Sequence, residues 1–363
     1  MANILILGGG FGGLIAAERL AAAAFDAEHQ ITLVSPQRKF TFYPALVQTA
    51  FGACQPEDIS FDLAAKLKDL NIDFIEGKAL GINGERRRAK ITGRDFDGGI
   101  YYDYLVIASG RRLATEKVPG FFEYANHLLG TGAALKFGEA VRDFRGGTIV
   151  VGMCPGARLP VPACETAFAL ARKFETEMRD GKIRIKLVFP ESLEAAFGSA
   201  KLRAELEAAC KRHGINLLYD VPVCEITPDE IISSKGHKIK HDLLMLVPPF
   251  EGQTIVVDDK INDAEGYIRV NGKMQVYGLE NAYAVGDIVA FSGPKFAHMA
   301  VRQARVAADN IWSEIKGREP NAEYYHEINA IIDEGGADSI HLHYGIWDDK
   351  TFALQKGNFW GWT

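Results

Sequence analysis

Residues 3–7 read Asn-Ile-Leu-Ile-Leu, and the run Gly8-Gly9-Gly10-Phe11-Gly12-Gly13 follows them without a gap. The short apolar stretch predicts a buried parallel strand. Residues 14–20 are Ala-rich and contain no breaker, which predicts a helix. A strand, a glycine turn and a helix in this order are the context in which G-x-G-x-x-G indicates a dinucleotide-binding turn.

Three glycines of this turn have separate physical roles. Gly8 allows the tight turn, Gly10 lets a diphosphate approach the backbone, and Gly13 lets the helix pack closely on the strand. The free N–H groups at the helix start and the positive end of the helix dipole then face the phosphates. We therefore expect the N-terminus to hold the diphosphate of a dinucleotide.

Composition limits the class of protein. The chain has 363 residues, is 47% hydrophobic and 24% charged, and carries a net charge of -6, which fits two or three globular domains. Nothing in the charge pattern suggests nucleic acid as a partner. Met1 leads directly into the first strand, and no apolar run approaches the ~20 residues of a membrane-spanning helix. With only five cysteines, we expect no disulfide scaffold and a cytoplasmic location, with at most peripheral contact with the inner face of a membrane.

Two stretches continue the first unit. Gln30 to Ser35 predicts the second strand, at whose end dinucleotide folds usually carry an Asp or Glu for the adenosine ribose. Ser35 stands there instead, and its hydroxyl can bond the ribose more weakly. The run Phe40-Thr41-Phe42-Tyr43-Pro44 is either a packed loop or a wall beside a flat ring system, and the sequence leaves both open.

Further stretches extend the predicted sheet. Asp73 to Ile82 predicts a strand and turn, and residues 88–92 and 99–104 predict a hairpin that turns near Gly98-Gly99. Tyr104 to Gly110 predicts another buried strand. It ends in small residues, which let the backbone approach a ligand closely.

A second strand–turn–helix unit begins at Gly147. Residues 148–152 predict its strand and residues 163–179 its helix. In the turn between them, Cys154 stands where a regular dinucleotide turn has glycine, and two prolines precede the helix. We therefore expect the same architecture with a weaker hold on phosphate. The pattern continues with strands over 183–189, 215–218 and 243–247 and a helix over 200–213.

The second strong motif is Ala284-Val285-Gly286-Asp287. An acidic residue after Ala-Val-Gly at the end of a short strand is the pattern with which flavoproteins bind the ribityl chain of their cofactor. A long helix is predicted to follow over residues 297–315. Its start near Ala297 would direct the positive end of the helix dipole at the ring carbonyl and stabilise the anionic reduced flavin.

Together these motifs resemble the sulfide:quinone oxidoreductase family, to which flavocytochrome c sulfide dehydrogenase and type II NADH dehydrogenases are related. The resemblance covers nearly the whole chain, and it rests on residues 8–13, 40–44, 106–110, 152–165, 245–252, 284–287 and 294–299. It implies an α/β fold with two Rossmann-like dinucleotide-binding domains. It also implies a bound FAD that transfers two electrons, with a donor side and a quinone side to its ring.

The resemblance further implies a division of the chain and a set of cofactor contacts. The FAD domain would be discontinuous and comprise residues 1–112 and 242–318. The second Rossmann-like domain would comprise 113–241, and a small C-terminal α+β segment 319–363. The residues that would contact FAD are Gly8, Gly10, Phe11, Gly12, Gly13, Ser35, Pro36, Pro44, Ala79, Ser109, Gly110, Gly286, Asp287, Lys295 and Ala297.

Two departures concern the family's redox cysteines. The family has a cysteine six residues before the Glu of its Gly-Pro-Ala-Tyr-Glu stretch, and Leu159 stands at that place here. The family's second cysteine falls near Asn329 and Ala330, and no cysteine follows Cys224. Because sulfide oxidation needs a thiolate that holds sulfane sulfur beside the flavin, we expect the usual route to be closed.

Four residues are candidates for catalysis. Cys154 and Cys164 flank the same loop and could form a substitute redox pair, or each could be a small buried hydrophobe. Glu165 could transfer a proton to a quinone, or be a charge that the helix start favours. Lys295 matches a family lysine near the flavin and could hold negative charge on the ring, or lie at the surface. The nine histidines show no metal-binding spacing, so no metal is expected.

The first hypothesis is an FAD-dependent oxidoreductase that passes electrons from a small-molecule donor, left open, to a quinone-like acceptor. The alternatives are sulfide oxidation through Cys154 and Cys164, NAD(P)H:quinone reduction, which the altered turn disfavours, and a flavin-binding protein without catalysis. The tail also departs from the family, since residues 341–344 and 351–354 predict a hairpin instead of amphipathic helices. We expect the two tryptophans near the end to pack, and a homo-oligomer is left open.

Overall fold

A computed structural model of the protein describes residues 1–23, 29–94, 96–253, 255, 261–335, 338–348 and 350–357. The helices of these residues are α1 Phe11–Ala23, α2 Leu46–Ala50, α3 Leu63–Lys68, α4 Phe121–Tyr124, α5 Thr131–Asp143, α6 Val161–Lys173, α7 Glu175–Arg179, α8 Leu193–Ala196, α9 Arg203–Arg212 and α10 Ala297–Ile315. The strands are β1 Asn3–Leu7, β2 Gln30–Ser35, β3 Lys39–Thr41, β4 Ser60–Asp62, β5 Asp73–Asn83, β6 Arg88–Gly93, β7 Asp97–Tyr101, β8 Tyr104–Ile107, β9 Arg111–Leu113, β10 Gly147–Met153, β11 Ile183–Val188, β12 Asn216–Leu218, β13 Val223–Ile226, β14 Glu230–Ser233, β15 Lys238–Lys240, β16 Leu243–Val247, β17 Phe250–Gly252, β18 Ala282–Ala284, β19 Glu327–Gly335, β20 Asp338–Gly345 and β21 Phe352–Lys356.

The first sheet has seven strands in the order β18-β8-β1-β2-β5-β6-β7. The strands from β18 to β5 run parallel, and β6 and β7 add antiparallel strands at one edge. Helix α1 forms the crossover from β1 to β2. Because the carboxyl ends of parallel strands meet at one edge of a sheet, the turn after β1 lies beside the ends of β8 and β18.

The apolar runs of β1 and β8 form the middle of this sheet and are buried on both faces. Residues 4–7 of β1 and 105–107 of β8 are at most 1% exposed. Helices α1 and α10 pack against each other, and Trp312 of α10 donates its indole N–H to the carbonyl oxygen of Leu20 in α1 at 3.2 Å. Each fully buried Leu or Ile contributes about 1.5–3 kcal/mol, so this layer fixes the turn that it carries.

The second sheet has four parallel strands in the order β12-β11-β10-β16. The α/β architecture with two Rossmann-like units that the sequence predicted is therefore confirmed. One boundary needs correction, because the sequence-based division gave residues from 242 onward to the first domain. Strand β16 is fully buried and pairs with β10 along residues 149–153. We propose that the boundary follows β16.

Four smaller sheets complete the molecule. β13, β14 and β15 form an antiparallel sheet over one face of the second unit, and the pairs β17–β9 and β3–β4 are antiparallel as well. β19, β20 and β21 form the antiparallel C-terminal sheet, so the predicted C-terminal hairpin is confirmed with longer strands. β19 packs along α6 and also contacts α10, which joins the C-terminal sheet to both units.

Other predicted boundaries differ from the structure. The helix predicted over 163–179 is two helices, because Phe174 leaves helical geometry with φ -110° and its ring is buried against Phe144. Gly98-Gly99 lies inside β7 instead of at the hairpin turn, and the helix predicted from residue 200 begins at Arg203. The expectation about the two tryptophans near the end lies outside the described residues. None of the helices in the described ranges is long and apolar enough to cross a membrane.

Candidate active site

The turn after β1 has the close contacts that its glycines predict. Gly8 takes φ +120°, and a Cβ built there would lie 2.1 Å from the carbonyl oxygen of Ala108. A Cβ on Gly13 would lie 1.8 Å from the carbonyl oxygen of Gly8. Because a side chain cannot be placed at those distances, glycine is required at both positions.

Gly10 differs from these neighbours, because a Cβ built there would meet no protein atom within 4 Å. The amide of Leu14 donates to the carbonyl oxygen of Gly10 at 2.9 Å, so α1 begins directly at this open space. At the end of β8, the buried Oγ of Ser109 has no hydrogen-bond partner among the described residues, and Gly110 takes φ +72°. An open turn beside a buried, unsatisfied hydroxyl fits the binding of a dinucleotide.

Ser35 uses its hydroxyl within the chain. Its Oγ donates to the carbonyl oxygen of Gln37 at 2.9 Å and accepts from the amide of Gln37 at 3.2 Å. One lone pair is left for a ribose hydroxyl. Pro36 and Pro44 are exposed, and Ala79 is half-buried in the part of β5 that pairs with β6. The contacts of these residues with FAD stay predictions.

The aromatic run over 40–44 is packed at one end and exposed at the other. The buried ring of Phe40 lies 5.0 Å from that of Phe11 and 4.9 Å from that of Phe61, measured between centroids. Phe42 and Tyr43 are 46% and 41% exposed. Phe40 is therefore a packing residue, while Phe42 and Tyr43 are accessible to a ligand.

Asp287 follows β18 in a short turn that begins at Gly286. Gly286 takes φ +81°, and its amide donates to Oε1 of Gln303 in α10 at 2.7 Å. The Asp287 carboxylate forms an ion pair with Arg111, and both side chains are only 18% exposed. Burial lowers the pKa of Arg111 to about 10, and its guanidinium also lies 4.1 Å from the centre of the Phe250 ring. The motif acid is thus held by a mostly buried cation.

Lys295 is buried, so the alternative of a surface lysine is wrong. Its Nζ donates to the carbonyl oxygen of Val289 and lies 4.8 Å from the centre of the Tyr267 ring. Burial lowers the pKa of Lys295 far below its usual range, and the charges of Arg158 and Arg111 lower it further. A lysine in these surroundings favours a negative charge placed near it.

Helix α10 spans the predicted residues and provides a second feature that favours negative charge. It begins at Ala297 after the extended residue Phe296, which forms no side-chain cap. The N–H groups of the first turn are not satisfied within a helix, and the positive end of the helix dipole lies there. Ala297 therefore has the geometry that the sequence predicted for a flavin contact, and the contact itself stays a prediction.

Cys154 and Cys164 lie on opposite faces of the second sheet. Cys154 belongs to the core between this sheet and β13–β15, whereas Cys164 belongs to the core on the other face, near Cys210. Both residues are fully buried, and burial raises the pKa of each thiol far above its ordinary value. The geometry favours small buried hydrophobes, and a redox role stays a prediction that these positions do not support.

Glu165 lies on α6 and faces the edge of β19. Its Oε1 accepts a hydrogen bond from the amide of Asp333 at 3.2 Å. Burial raises the pKa of Glu165 to about 8, although the Asp333 amide and the charge of Arg172 lower it in part. A carboxyl group with this pKa is mostly protonated at pH 7, unlike a charge at a helix start. Such a group is suited to proton transfer.

The raised pKa of Glu165 predicts a pH-dependent loss of stability. The folded state binds the proton more tightly than the unfolded state, whose Glu pKa is about 4.3. The free energy of unfolding therefore falls as the pH rises from about 4.3 through 8. We expect E165Q to match wild type near pH 4 and to unfold about 2–5 °C higher at pH 8.5, measured by thermal unfolding of the FAD-loaded protein.

The matched control for E165Q is E175Q, which changes an exposed Glu on the neighbouring helix α7. The Glu175 side chain is 74% exposed and pairs with Arg179. We expect no pH-dependent difference between E175Q and wild type. A constant difference between E165Q and wild type from pH 4 to 8.5 would show that Glu165 does not titrate as inferred.

The second turn differs from the first in length and in helix start. Three residues, 8–10, separate β1 from α1, whereas seven, 154–160, separate β10 from α6. Pro160 precedes α6 without a side-chain cap, and Pro162 removes one N–H group from the first turn. The weaker phosphate site that the sequence predicted therefore has a structural basis.

The loop of the second turn is fixed to the segment that precedes α10. The carbonyl oxygen of Arg158 accepts the amide of Lys295 at 2.7 Å. Nε of Arg158 donates to the carbonyl oxygen of Gly293 at 2.7 Å, and its guanidinium also donates to the carbonyl oxygen of Phe291. This loop thus packs against the region of Asp287 instead of enclosing an open phosphate site.

Sequence reasoning missed three residues of this site. Arg111 pairs with Asp287, Arg158 fixes the loop, and Tyr267 packs between Arg158 and Lys295. Arg111 could have been noticed, because it directly follows the small residues at the end of β8. Arg158 lies in the stretch 152–165 that carries the family resemblance, but no pattern there indicated its contacts, and Tyr267 lies outside the stretches that carry it.

The fold and the turn define a class of flavoprotein. Residues 2–304 match the family model described as pyridine nucleotide-disulphide oxidoreductase. The chain belongs to this family, and it is an FAD-dependent oxidoreductase. The open space at Gly10, the buried Ser109 hydroxyl and the acid at Asp287 fit that cofactor.

Individual relatives show which members of this family the chain resembles. The chain is 29% identical over 353 residues to the sulfide-quinone reductase of Aquifex aeolicus, which covers 91% of this chain and 80% of that protein. It is 25% identical over 333 residues to the demethylphylloquinone reductase NdbB of Synechocystis, covering 87% and 80%. The X-ray structure of the sulfide:quinone oxidoreductase from Aquifex aeolicus matches with a TM-score of 0.90 and 26% identity, over 99% of this chain and 87% of that one. The similarity to sulfide-quinone reductases is therefore confirmed.

Proposed function

We propose that this protein passes two electrons from a small reductant through FAD to a quinone-like acceptor. One observation carries the proposal: two relatives, a sulfide-quinone reductase and a demethylphylloquinone reductase, are both named for a quinone. The acceptor is what these relatives have in common. The basic side chains near Asp287 fit the donor half of this reaction, because positive charge stabilises the reduced flavin.

The residues of the first unit hold the cofactor in this proposal. Gly8, Gly10 and Gly13 let the diphosphate lie against the start of α1. Asp287 accepts from the hydroxyls of the ribityl chain, and its ion pair with Arg111 holds the carboxylate in place. When bound, FAD accepts two electrons from one substrate and gives them to another.

Residues around the ring control charge and protons. Lys295 and the start of α10 stabilise negative charge that develops on the ring. Glu165 is mostly protonated at pH 7 and can supply a proton, which an acceptor such as a quinone needs together with electrons. We infer this role from the raised pKa of Glu165 and from its position on α6, the helix that follows the second turn.

The donor in this proposal is not a pyridine nucleotide. The second turn is longer than the first, has a proline in the first turn of α6, and is fixed through Arg158 to the loop before α10. These features remove the short glycine turn that binds a second diphosphate. A thiol-dependent sulfide route is also left out of the proposal, because the resemblance places Leu159 and Asn329 at or near the family's cysteine positions.

The acceptor half of the reaction can be tested without knowing the donor. FAD bound to the protein is reduced by light and a sacrificial reductant under anaerobic conditions, and a short-chain ubiquinone or menaquinone analogue is then mixed in. We expect rapid reoxidation of the flavin at a rate that saturates with quinone concentration. A rate no higher than that of free reduced flavin at the same quinone concentration would reject the proposal.

The donor half is tested by anaerobic mixing of the oxidised protein with sulfide, NADH and NADPH in parallel. We expect no rapid bleaching by NADH or NADPH, and rapid bleaching by either would support a pyridine-nucleotide donor. The matched variant is C154A/C164A, which removes both buried thiols without placing a hydroxyl in the core. We expect any bleaching by sulfide to be unchanged in it, whereas its loss would restore the redox-pair hypothesis.

A further inference from the structure

Three mostly buried basic side chains, those of Arg111, Arg158 and Lys295, lie close together in the region of Asp287. Lys295 Nζ and Arg158 Cζ lie 4.8 Å and 5.4 Å from the centre of the Tyr267 ring. Arg111 pairs with Asp287, and its charge also acts on Tyr267 and on Lys295. The loop of the second turn and the end of the first sheet therefore meet in one positively charged region.

Among the described residues, hydrogen bonds satisfy Arg158 and Lys295, and no carboxylate lies within 4.0 Å of either. The Arg158 guanidinium donates to two backbone carbonyls, and Lys295 Nζ donates to a third. Among the described residues, Asp287 is the carboxylate that lies within 4.0 Å of one of these three side chains, and its partner is Arg111. Asp263 and Glu265 act on Arg158 and Lys295 from longer range.

The charge balance of this region depends on the flavin. A mostly buried positive charge without an opposite charge nearby is costly. The diphosphate of FAD is balanced by the amides of the first turn and the start of α1. The ring of FAD is neutral when oxidised and gains negative charge on reduction, so reduction supplies the charge that the cluster lacks.

We propose that Arg158 is a positioning residue whose guanidinium raises the reduction potential of the bound flavin, by its positive charge and by holding the loop before Lys295 through the carbonyl oxygens of Phe291 and Gly293. The carbonyl oxygen of Arg158 also accepts the Lys295 amide at 2.7 Å, and side-chain variants leave this backbone bond in place. Arg158 directly precedes Leu159, the position at which the resemblance places a redox cysteine of the family. The inference rests on the flavin of the proposed function and not on its quinone acceptor.

The test is the midpoint potential of the bound flavin, measured by equilibration with reference dyes in wild type and R158Q. We expect R158Q to weaken the binding of reduced flavin relative to oxidised flavin about tenfold. For a two-electron couple this lowers the potential by about 30 mV. R158K keeps the charge but not the planar fork of donors, so we expect its potential to lie between those of R158Q and wild type.

The matched control is R172Q. Arg172 also donates to a backbone carbonyl, that of Glu334, but it lies at the far end of α6. We expect R172Q to leave the potential unchanged. An unchanged potential in R158Q, or an equal fall in R172Q, would overturn the proposal and leave Arg158 as a structural tie between two loops. If R158Q does not fold, R158M replaces it, because its apolar stem can still pack on Tyr267. A failed quinone reaction would not alter this measurement.

Discussion

Replacement of Gly10 by valine will remove FAD from a polypeptide that still folds. A Cβ at Gly10 would meet no protein atom within 4 Å, so the free protein has room for the side chain. In the proposed binding mode the diphosphate approaches the backbone in this space, and a branched side chain would displace it. We expect the affinity for FAD to fall at least about 100-fold, which corresponds to about 2.8 kcal/mol. The measurements are the flavin absorbance per protein after desalting and the titration of apoprotein with FAD.

Two further glycine variants show whether this effect is local. G132V is the matched control, because Gly132 in α5 also has no atom within 4 Å of a built Cβ, and we expect it to retain FAD. G13A should lose the fold itself, since its Cβ would lie 1.8 Å from the carbonyl oxygen of Gly8. Wild-type FAD affinity in folded G10V would contradict the placement of the diphosphate at this turn.

Replacement of Asp287 by alanine will destabilise the protein and weaken FAD binding together. Arg111 would be left mostly buried without its carboxylate, and breaking one side of such a pair costs about 3 kcal/mol. The ribityl chain would lose its acceptor at the same time. We expect a lower midpoint of denaturant unfolding in the FAD-free protein and loss of flavin on desalting. D309A is the control. The side chains of Asp309 and its partner Arg19 are 41% and 52% exposed, so this ion pair should contribute less than about 1 kcal/mol to stability.

The double variant R111M/D287L separates the two effects of Asp287. Removal of both charges leaves no unpaired buried ion, so we expect the free energy of unfolding of the FAD-free protein to return to within about 1 kcal/mol of wild type. FAD binding should remain weak, because the acceptor for the ribityl chain is still absent. Recovery of full FAD affinity in the double variant would show that Asp287 acts only by pairing with Arg111.

The parts of the fold that the sequence predicted well are those decided by local patterns. β1, the glycine turn and α1 follow from an apolar run, three glycines and an Ala-rich stretch. α10 begins and ends at the predicted residues, because its amphipathic period runs without a breaker from Ala297 to Ile315. The helix over 163–179 was predicted as one, because nothing local shows that burial of the Phe174 ring takes precedence over helical continuity.

The site was predicted only in its motif residues. Gly8, Gly10, Gly13 and Asp287 belong to short patterns whose spacing has a direct physical meaning. Cys154 and Cys164 are ten residues apart in sequence, and only the packing of the turn and of α6 on opposite faces of the second sheet shows that they lie in different cores. The raised pKa of Glu165 arises from packing against β19, which is distant in sequence.

Three features can be read from the amino-acid sequence alone: the glycine-rich strand–turn–helix at its start, the acidic residue Asp287 after a short strand, and the absence of cysteine after position 224. Each of these features is local, so neighbouring residues are enough to define it. The gathering of Arg111, Arg158 and Lys295 near Asp287, and the fixing of the second turn by Arg158, are visible only in the folded molecule. Charge balance in a buried region depends on which distant segments meet, and no local pattern encodes that meeting.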